Sequence, residues 1–266
     1  MISRYGNKWT RDETILALCF YYEVPYGRIS RSNKYLQDMS AKMGRSLSSL
    51  IMKMVNLASM DETHLSRGVT SLPHVSKLDR EIWLEFKGNY PQLVLERERI
   101  MSSMVIDTNS SIENTPCKDI AFSDNKYTLY ERKVLSRNGQ NFFRKAVLSA
   151  YGERCCATGI AIPELLQACH IKPWSKCESF SDCLNPANGL CFNYLLHRAF
   201  DLGYITVHSQ TMQIIVSSQI KKHPRLDEVT NQWIVSLDHK NIEFPERNQP
   251  YSTFLEYHND MIFNCW

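Results

Sequence analysis

The sequence predicts an α+β protein with a helical amino-terminal domain, residues 1–100, and a mixed carboxy-terminal domain, residues 129–266. Three observations lead to this prediction. Apolar residues recur at helical spacing through much of the first hundred positions, and a polar run rich in Ser, Asn and Thr follows them. Beyond that run, short apolar stretches bounded by Pro, Asn and Gly are typical of strands. We therefore assign residues 101–128 to a linker.

Length and composition set broad limits on the class of protein. A chain of 266 residues has room for one large or two smaller domains, and its 43% hydrophobic and 22% charged residues are ordinary for a globular protein. No apolar run approaches the roughly 18 residues that a membrane span needs, and residues 1–6 lack the apolar core of a secretory signal. We therefore expect a cytoplasmic protein, away from membranes, whose nine cysteines are thiols. A net charge of +3 permits nucleic-acid binding without requiring it.

The first part of the helical domain has the pattern of a helix-turn-helix unit. Thr10 and Glu13 form a capping box, which predicts that the first helix begins near Trp9. A second helical pattern spans residues 32–43, ends at a glycine, and is followed at once by a third helix over residues 46–57. A short glycine turn therefore separates the second and third helices.

The third helix has one apolar and one polar side. Its apolar residues recur at the spacing of a buried stripe, whereas Ser49, Lys53 and Asn56 fall together on the opposite side. Such a side could bind DNA, as a recognition helix does. It is also typical of a solvated helix surface, and helix-turn-helix geometry occurs in bundles that do not bind DNA. Taken alone, the pattern favours the second interpretation.

A further helix is predicted over residues 76–90, which include Trp83 and Phe86. The charged residues 96–99 and the polar run after them lead into the linker. The second domain begins near Tyr130 with an amphipathic helical pattern.

Two polar residues stand near the ends of predicted strands in the second domain. Residues 167–174 have the character of a short buried strand that Pro173 ends, so His170 would face a cleft from the strand end. A neutral imidazole at that place can accept a proton from water. Asn188 lies in a turn before the second strand, residues 190–192, and its amide can fix the loop around His170.

A further polar pair is predicted on the helix that follows. His197 and Asp201 are four residues apart and point the same way, which suits two ligands of one divalent cation. We expect Mg²⁺, or another divalent cation such as Mn²⁺, to bind there and to hold a phosphate group. A base and a cation together are what phosphodiester hydrolysis requires. Candidates for additional phosphate contacts are Lys172, Lys176 and Arg198.

The cysteines of the second domain raise the alternative of a zinc site. No Cys-x-x-Cys pair occurs in the chain, and structural zinc sites usually have that spacing. We therefore interpret these cysteines as buried thiols.

Together these residues resemble the HNH nuclease family. The resemblance covers about residues 130–260, and it is carried by Gln140 to Arg144, Val147 to Tyr151, Cys156 to Gly159, His170 to Trp174, Asn188 to Leu190 and His197 to Gly203. More narrowly, the run is similar to bacterial HNH domains associated with restriction. The resemblance implies a ββα-metal fold in which His170 is the general base, and in which Asn188 and His197 are the family's other two catalytic residues.

The resemblance also implies an activity and its partners. It implies a DNA endonuclease of restriction type that acts on double-stranded DNA, with an amino-terminal domain that selects a site or a modified base. We expect a homodimer, because cutting a duplex requires one active site for each strand.

One position departs from the family pattern. Many HNH motifs carry Asp, as a metal ligand, directly before the base histidine, where this chain has Cys169. The resemblance therefore implies a cation held by fewer protein ligands, with Asp201 as the replacement carboxylate. Asp201 could instead pin the end of its helix before Gly203, which is a common structural role. Both interpretations of Asp201 remain open.

Two other functions remain compatible with the sequence. A DNA-binding regulator whose nuclease domain has decayed would also lack the Asp before His170. A homing, phage or partner-gated defence nuclease would carry the same motif residues. Metal-dependent nicking would exclude the decayed regulator, and neighbouring genes would help to separate the remaining nucleases.

Overall fold

The computed structural model describes residues 7–66, 75–105 and 126–263. The amino-terminal part of these residues is helical and contains α1 (Arg11–Glu23), α2 (Lys34–Lys42), α3 (Leu47–Ala58), α4 (Glu62–Ser66), α5 (Lys77–Phe86) and α6 (Tyr90–Val105). The later part is mixed and contains α7 (Leu129–Ala150), β1 (Leu166–His170), α8 (Phe180–Cys183), β2 (Gly189–Asn193), α9 (Tyr194–Asp201), β3 (Ile205–Val207), β4 (Ile214–Val216), α10 (Ser218–Lys221), α11 (Glu228–Trp233) and α12 (Ser252–His258). The predicted α+β class is confirmed.

Helix α1 lies at the centre of the helical part. The predicted capping box begins it, since the Thr10 hydroxyl accepts from the Glu13 amide and the Glu13 carboxylate accepts from the Thr10 amide. Every residue from Ile15 to Tyr22 is buried. A helix that is buried on all sides must be enclosed by other elements, and α3, α5, α6 and α7 pack against it.

Helices α2 and α3 are joined by a short turn, as the sequence predicts. Gly44 adopts φ 65°, a left-handed conformation that glycine adopts without strain, and it follows α2 directly after its cap. The side chains of Asn33 and Ser46 cap the amino termini of α2 and α3. On α3, Leu50 and Leu57 of the predicted apolar stripe are buried. The role of this pair as a DNA-binding helix-turn-helix unit stays a prediction.

The helix predicted over residues 76–90 is present but ends earlier, at Phe86, and a further helix, α6, begins at Tyr90. The first of the two, α5, begins at a capping box formed by Ser76 and Asp79. Gly88 then adopts φ 75°, which turns the chain before α6 begins.

Helix α6 extends through the start of the predicted linker. It continues to Val105, so residues 101–105 are helical. Its charges help to hold it against α1, because Arg97 lies 3.2 Å from the buried carboxylate of Glu23. The spacing of charges along α6 does not reveal this ion pair, since the partner lies on another helix. Residues 106–125, most of the predicted linker, lie outside the described residues.

The antiparallel pair β1 and β2 is the frame of the second part. Cys169 pairs with Leu190 and His170 pairs with Gly189. Helix α9 follows β2 directly and packs against both strands, while α7 packs on the same pair. A β-carbon on Gly189 would lie 2.3 Å from a methyl carbon of Val147, so the close approach of α7 requires glycine at this position. Strands β1 and β2 with helix α9 form the ββα arrangement that the resemblance implies.

Two hydrophobic cores share helix α7. Leu135 and Phe142 belong to the core of the amino-terminal helices, whereas Phe143 and Val147 belong to the core around β1 and β2. Neighbouring residues of a helix point in different directions, so one helix can serve two cores at once. The predicted domain limits stay a prediction, and α7 is the element that packs on both sides.

The composition predicts that the cysteines are thiols and that the chain does not cross a membrane, and the described residues bear on both predictions. Their seven cysteines are buried and form no disulfide. None of their helices is both long enough and apolar enough to cross a membrane.

Candidate active site

His170 is the last residue of β1, and two aromatic rings and a main-chain carbonyl fix the orientation of its imidazole. The ring stacks on Phe143 with centroids 3.8 Å apart and meets Trp174 edge-on. Its Nε2 lies 2.9 Å from the carbonyl oxygen of Cys183. A carbonyl oxygen only accepts hydrogen bonds, so Nε2 carries the proton of the neutral ring. The lone pair then resides on Nδ1, which is the property that a general base needs.

Asn188 is fully buried and ties the loop after β1 to the turn before β2. Its Oδ1 accepts from the Lys172 amide at 2.8 Å. Its Nδ2 donates to the carbonyl oxygens of Lys172 and Asp182 at 3.1 and 3.2 Å. Its own carbonyl accepts from the Ile171 amide at 2.9 Å. These bonds fix the main chain beside His170, so this geometry makes Asn188 a positioning residue.

Cys169, His197 and Asp201 bring three metal-binding atoms together. His197 Nε2 lies 3.6 Å from Asp201 Oδ2, and Cys169 Sγ lies 3.7 Å from Asp201 Oδ1. One ligand atom from each residue lies within 4.8 Å of the other two. Within the ranges that the structure describes, no other three His, Cys, Asp or Glu side chains meet in this way. The group, which we call the cation cluster, is a possible site for a divalent metal ion.

The members of the cation cluster differ in exposure. The side chains of His197 and Asp201 are 30% and 40% exposed, whereas Cys169 is fully buried behind them. Burial raises the pKa of the Cys169 thiol well above its usual range, and the nearby carboxylate of Asp201 raises it further. The thiol therefore keeps its proton and donates it toward Asp201. Because the carboxylate of Asp201 faces the cluster, the geometry favours a metal-ligand role for Asp201. It gives less support to a purely structural role at the end of the helix.

A cleft of about 500 Å³ connects His170 with the cation cluster. His170, Trp174, His197 and Asp201 all line it. A phosphate group in this space would therefore lie near both the candidate base and the candidate cation site.

Arg144 is a cationic residue of this cleft that the motif analysis did not assign to the site. Its Nη1 donates to Gln167 Oε1 at 2.7 Å, and its Nη2 donates to the Leu166 carbonyl oxygen at 2.9 Å. These bonds hold the guanidinium at the cleft wall, where it attracts anions. Its place in the family-like segment Gln140 to Arg144 was a signal that could have identified it.

The three predicted phosphate contacts do not line this cleft. Lys176 and Arg198 are exposed outside it. The Lys172 ammonium lies 2.9 Å from the Glu178 carboxylate, and this hydrogen bond raises the pKa of Lys172. These three side chains could meet a longer DNA segment beyond the cleft, so their role stays a prediction.

Lys53 was predicted to lie on a DNA-binding side of α3, and the structure corrects this prediction. Its side chain is 7% exposed, and its Nζ lies 2.5 Å from Asp79 Oδ1 on α5. This ammonium therefore neutralises a buried carboxylate and is not presented to solvent. Ser49 and Asn56 are half-buried, and their contact with DNA stays a prediction.

His258 is a second residue of the cleft that sequence reasoning did not assign a role. It lines the cleft from α12, and its ring stacks on Phe200 with centroids 3.6 Å apart. Its Nε2 donates to the Phe200 carbonyl oxygen at 3.1 Å, so its Nδ1 accepts from the Thr206 hydroxyl at 2.8 Å. Burial lowers the pKa of His258 to about 4. This neutral imidazole supports the end of α9 directly beside Asp201.

Comparison with known families identifies the segment that carries this geometry. Residues 155–208 match the family model described as HNH endonuclease. The match includes both strands of the β1 and β2 pair, all of α9, and β3. A search of curated proteins finds no match. Residues 155–208 of this chain are therefore a domain of the HNH endonuclease family.

Proposed function

We propose that this protein is a metal-dependent DNA endonuclease of restriction type. The observation that carries the proposal is the shared cleft, which His170 lines together with His197 and Asp201 of the cation cluster. Phosphodiester hydrolysis needs a group that removes a proton from the attacking water and positive charge near the phosphate. The presence of candidates for both roles in the lining of one cleft supports the proposal.

His170 is the general base in this proposal. Its Nε2 proton is committed to the Cys183 carbonyl oxygen, so Nδ1 accepts the proton of the attacking water. Phe143 holds the ring plane, and Asn188 holds the main chain after His170. Neither of these two residues takes part in the proton transfer.

His197 and Asp201 would hold the divalent cation. The motif residues suggest that this cation is Mg²⁺ or Mn²⁺. When bound, such a cation supplies positive charge to the scissile phosphate and to the leaving oxygen. Arg144 adds a second positive charge at the same cleft. Its guanidinium orients the phosphate group toward His170.

A restriction-type activity would also require selection of the DNA site, by the amino-terminal helices, and assembly of the chain into a dimer. Helices α2 and α3 have the connectivity of a DNA-binding pair, and Ser49 and Asn56 remain candidates for contact. Site or modification selection by this part would direct the HNH domain to double-stranded DNA. A homodimer in the cytoplasm would supply one active site for each strand.

The test is cleavage of plasmid DNA by the purified full chain. Unmodified and cytosine-modified plasmids are incubated with Mg²⁺, Mn²⁺, Zn²⁺ or Co²⁺, with and without EDTA. We expect defined breaks that need the cation and that His170→Ala abolishes. His223→Ala is the matched control, because His223 is exposed and does not line the cleft.

Two outcomes would contradict the proposal. Breaks that persist in His170→Ala would remove His170 as the base. DNA binding without breaks on either plasmid and with any of these cations would favour the decayed DNA-binding regulator.

A further inference from the structure

We infer that Cys169 is the third protein ligand of the cation, and that its sulfur makes the cluster selective for a transition metal such as Zn²⁺ or Co²⁺ over Mg²⁺. The inference rests on the proposed function, because it specifies the metal of that same site. It concerns the donor atoms that this chain presents, and it can be tested without DNA.

The first support is the spacing of the donor atoms. Around a tetrahedral zinc ion, with bonds of about 2.0 Å to nitrogen or oxygen and 2.3 Å to sulfur, neighbouring donors lie about 3.3–3.5 Å apart. The separations between Cys169 Sγ and Asp201 Oδ1 and between His197 Nε2 and Asp201 Oδ2 are 3.7 and 3.6 Å. These two separations involve different oxygens of Asp201, and one ligand atom from each of the three residues lies within 4.8 Å of the other two. Side-chain movements on the order of 1 Å would therefore bring the three atoms to bonding distance of one ion.

The second support is the chemical character of the three donors. Mg²⁺ binds oxygen ligands in octahedral geometry, and this cluster offers oxygen only from Asp201. Sulfur with imidazole nitrogen is a donor set that suits Zn²⁺ and its transition-metal neighbours. Binding would form a sulfur–metal bond and release the Cys169 proton to solvent. The resulting thiolate and carboxylate would balance the two positive charges of the ion.

The third support is the number and location of the ligands. Catalytic zinc sites commonly have three protein ligands and keep one position open for water or substrate. Cys169 closes the cluster from inside the protein, whereas His197 and Asp201 border the cleft. The open position would therefore face the space that also contains His170. A structural site would have four protein ligands, and the described residues offer three here.

The experiment is a cobalt titration of the full chain after removal of bound metal. Coordination of Co²⁺ by a thiolate produces charge-transfer absorption in the near ultraviolet, and we expect this band to saturate at one ion per chain. Cys169→Ser should remove the band and weaken cobalt binding by at least about 10-fold, the smallest loss usual for groups that only support a ligand. Mg²⁺ in excess should not displace the cobalt from the unaltered protein.

Controls assign the band to this cluster. Cys191→Ser changes an equally buried thiol on the paired strand and should leave the band unchanged. His197→Ala changes a partly exposed ligand and should weaken the band without disturbing the core. If Cys169→Ser does not fold, X-ray absorption of the zinc-loaded protein should show one sulfur at about 2.3 Å, and His197→Ala should weaken that signal.

The outcomes separate this inference from the proposed function. A band that persists in Cys169→Ser, or a zinc ion without a sulfur neighbour, overturns the inference. Cleavage with Mg²⁺ and no thiolate band would overturn the inference while leaving the nuclease intact. A thiolate band without cleavage of any DNA would support Cys169 as a ligand and contradict the nuclease.

Discussion

The imidazoles of His170 and His258 line one cleft but have different surroundings. His170 is part-buried between Phe143 and Trp174 at the strand end, whereas His258 is fully buried. Both rings donate Nε2 to a main-chain carbonyl oxygen. In His258 the remaining nitrogen is used by Thr206, so this residue contributes to structure and not to proton transfer. The burial of His258 and its bonds to Phe200 and Thr206 give it a structural role, whereas His170 lies part-buried at the strand end.

His258 makes the fold sensitive to acid. Its folded-state pKa, about 4, lies below the ordinary value of 6.5, so the unfolded chain binds the proton more readily. The stability associated with neutral His258 is complete above pH 6.5 and decreases as the pH falls toward 4, by up to about 3 kcal/mol. Denaturant unfolding at several pH values should show this decrease. In His258→Gln the decrease should be smaller by that amount, and an equal pH dependence in both proteins would contradict the assignment.

The hydrogen bonds of Asn188 to the main chain should contribute both to stability and to cleavage. Asn188→Ala removes the partners of buried main-chain groups of Lys172 and Asp182, which should lower the free energy of unfolding by about 1–3 kcal/mol. Cleavage should fall as well, because the chain beside His170 loses its anchor. Asn231→Ala, at an exposed position of α11, is the control and should leave stability and cleavage nearly unchanged. Normal stability of Asn188→Ala would exclude the positioning role.

Buried ion pairs connect helices of the amino-terminal part. The sequence pattern of each helix does not reveal which other helix carries its partner. Lys53 on α3 pairs with Asp79 on α5, and Asp79 also accepts from the Ser76 amide in the capping box of α5. Arg97 on α6 pairs with Glu23 at the end of α1. Each pair joins two helices through groups that are costly to bury singly. The helical part is therefore held by paired charges as well as by its apolar core.

Breaking the Lys53 pair should unfold the helical part more easily. Lys53→Ala leaves the Asp79 carboxylate buried without its cation, and we expect a loss of about 3–5 kcal/mol in the free energy of unfolding. Lys77→Ala is the matched control on α5, because Lys77 is 91% exposed and its contact with Glu81 is a surface ion pair. That variant should change stability by less than about 1 kcal/mol. Unchanged stability with loss of DNA binding in Lys53→Ala would restore Lys53 as a DNA contact.

At the scale of the whole molecule, the chain after β4 returns to the amino-terminal helices. Arg247 is fully buried, and its Nη2 donates to the carbonyl oxygens of Tyr22 and Val24 at 3.0 and 3.1 Å and to the Ser149 hydroxyl. The guanidinium also lies over the Tyr21 ring. One side chain thus connects the end of α1, the end of α7 and the segment before α12. This contact and the shared helix α7 couple the two parts.

Arg247→Met should therefore weaken both parts together. The variant leaves buried carbonyl oxygens without a donor, and we expect a loss of about 3 kcal/mol in the free energy of unfolding. Hydrogen exchange should accelerate in α1 and in the β1 and β2 pair alike. Arg225→Met, at an exposed position, should change neither. Faster exchange confined to one part would show that the two parts unfold separately.

Features that depend on near neighbours along the chain can be predicted from the amino-acid sequence. The capping box of α1, the glycine turn between α2 and α3, and the order of β1, β2 and α9 all follow from residues within a few positions of each other. The HNH resemblance belongs to this class as well, because its motif is a run of local spacings that the family model also matches. Such signals are readable because helix caps, turns and strand ends are short-range structures.

Which distant side chains meet depends on how the helices and strands pack in three dimensions. This packing brought Cys169 to His197 and Asp201, where the sequence analysis expected fewer protein ligands, and it buried Lys53 against Asp79. A helical repeat indicates which side a residue occupies but not which element covers that side. The donor set of the cation cluster and the exposure of α3 depend on that covering. They therefore became visible only once the packing of the elements was known.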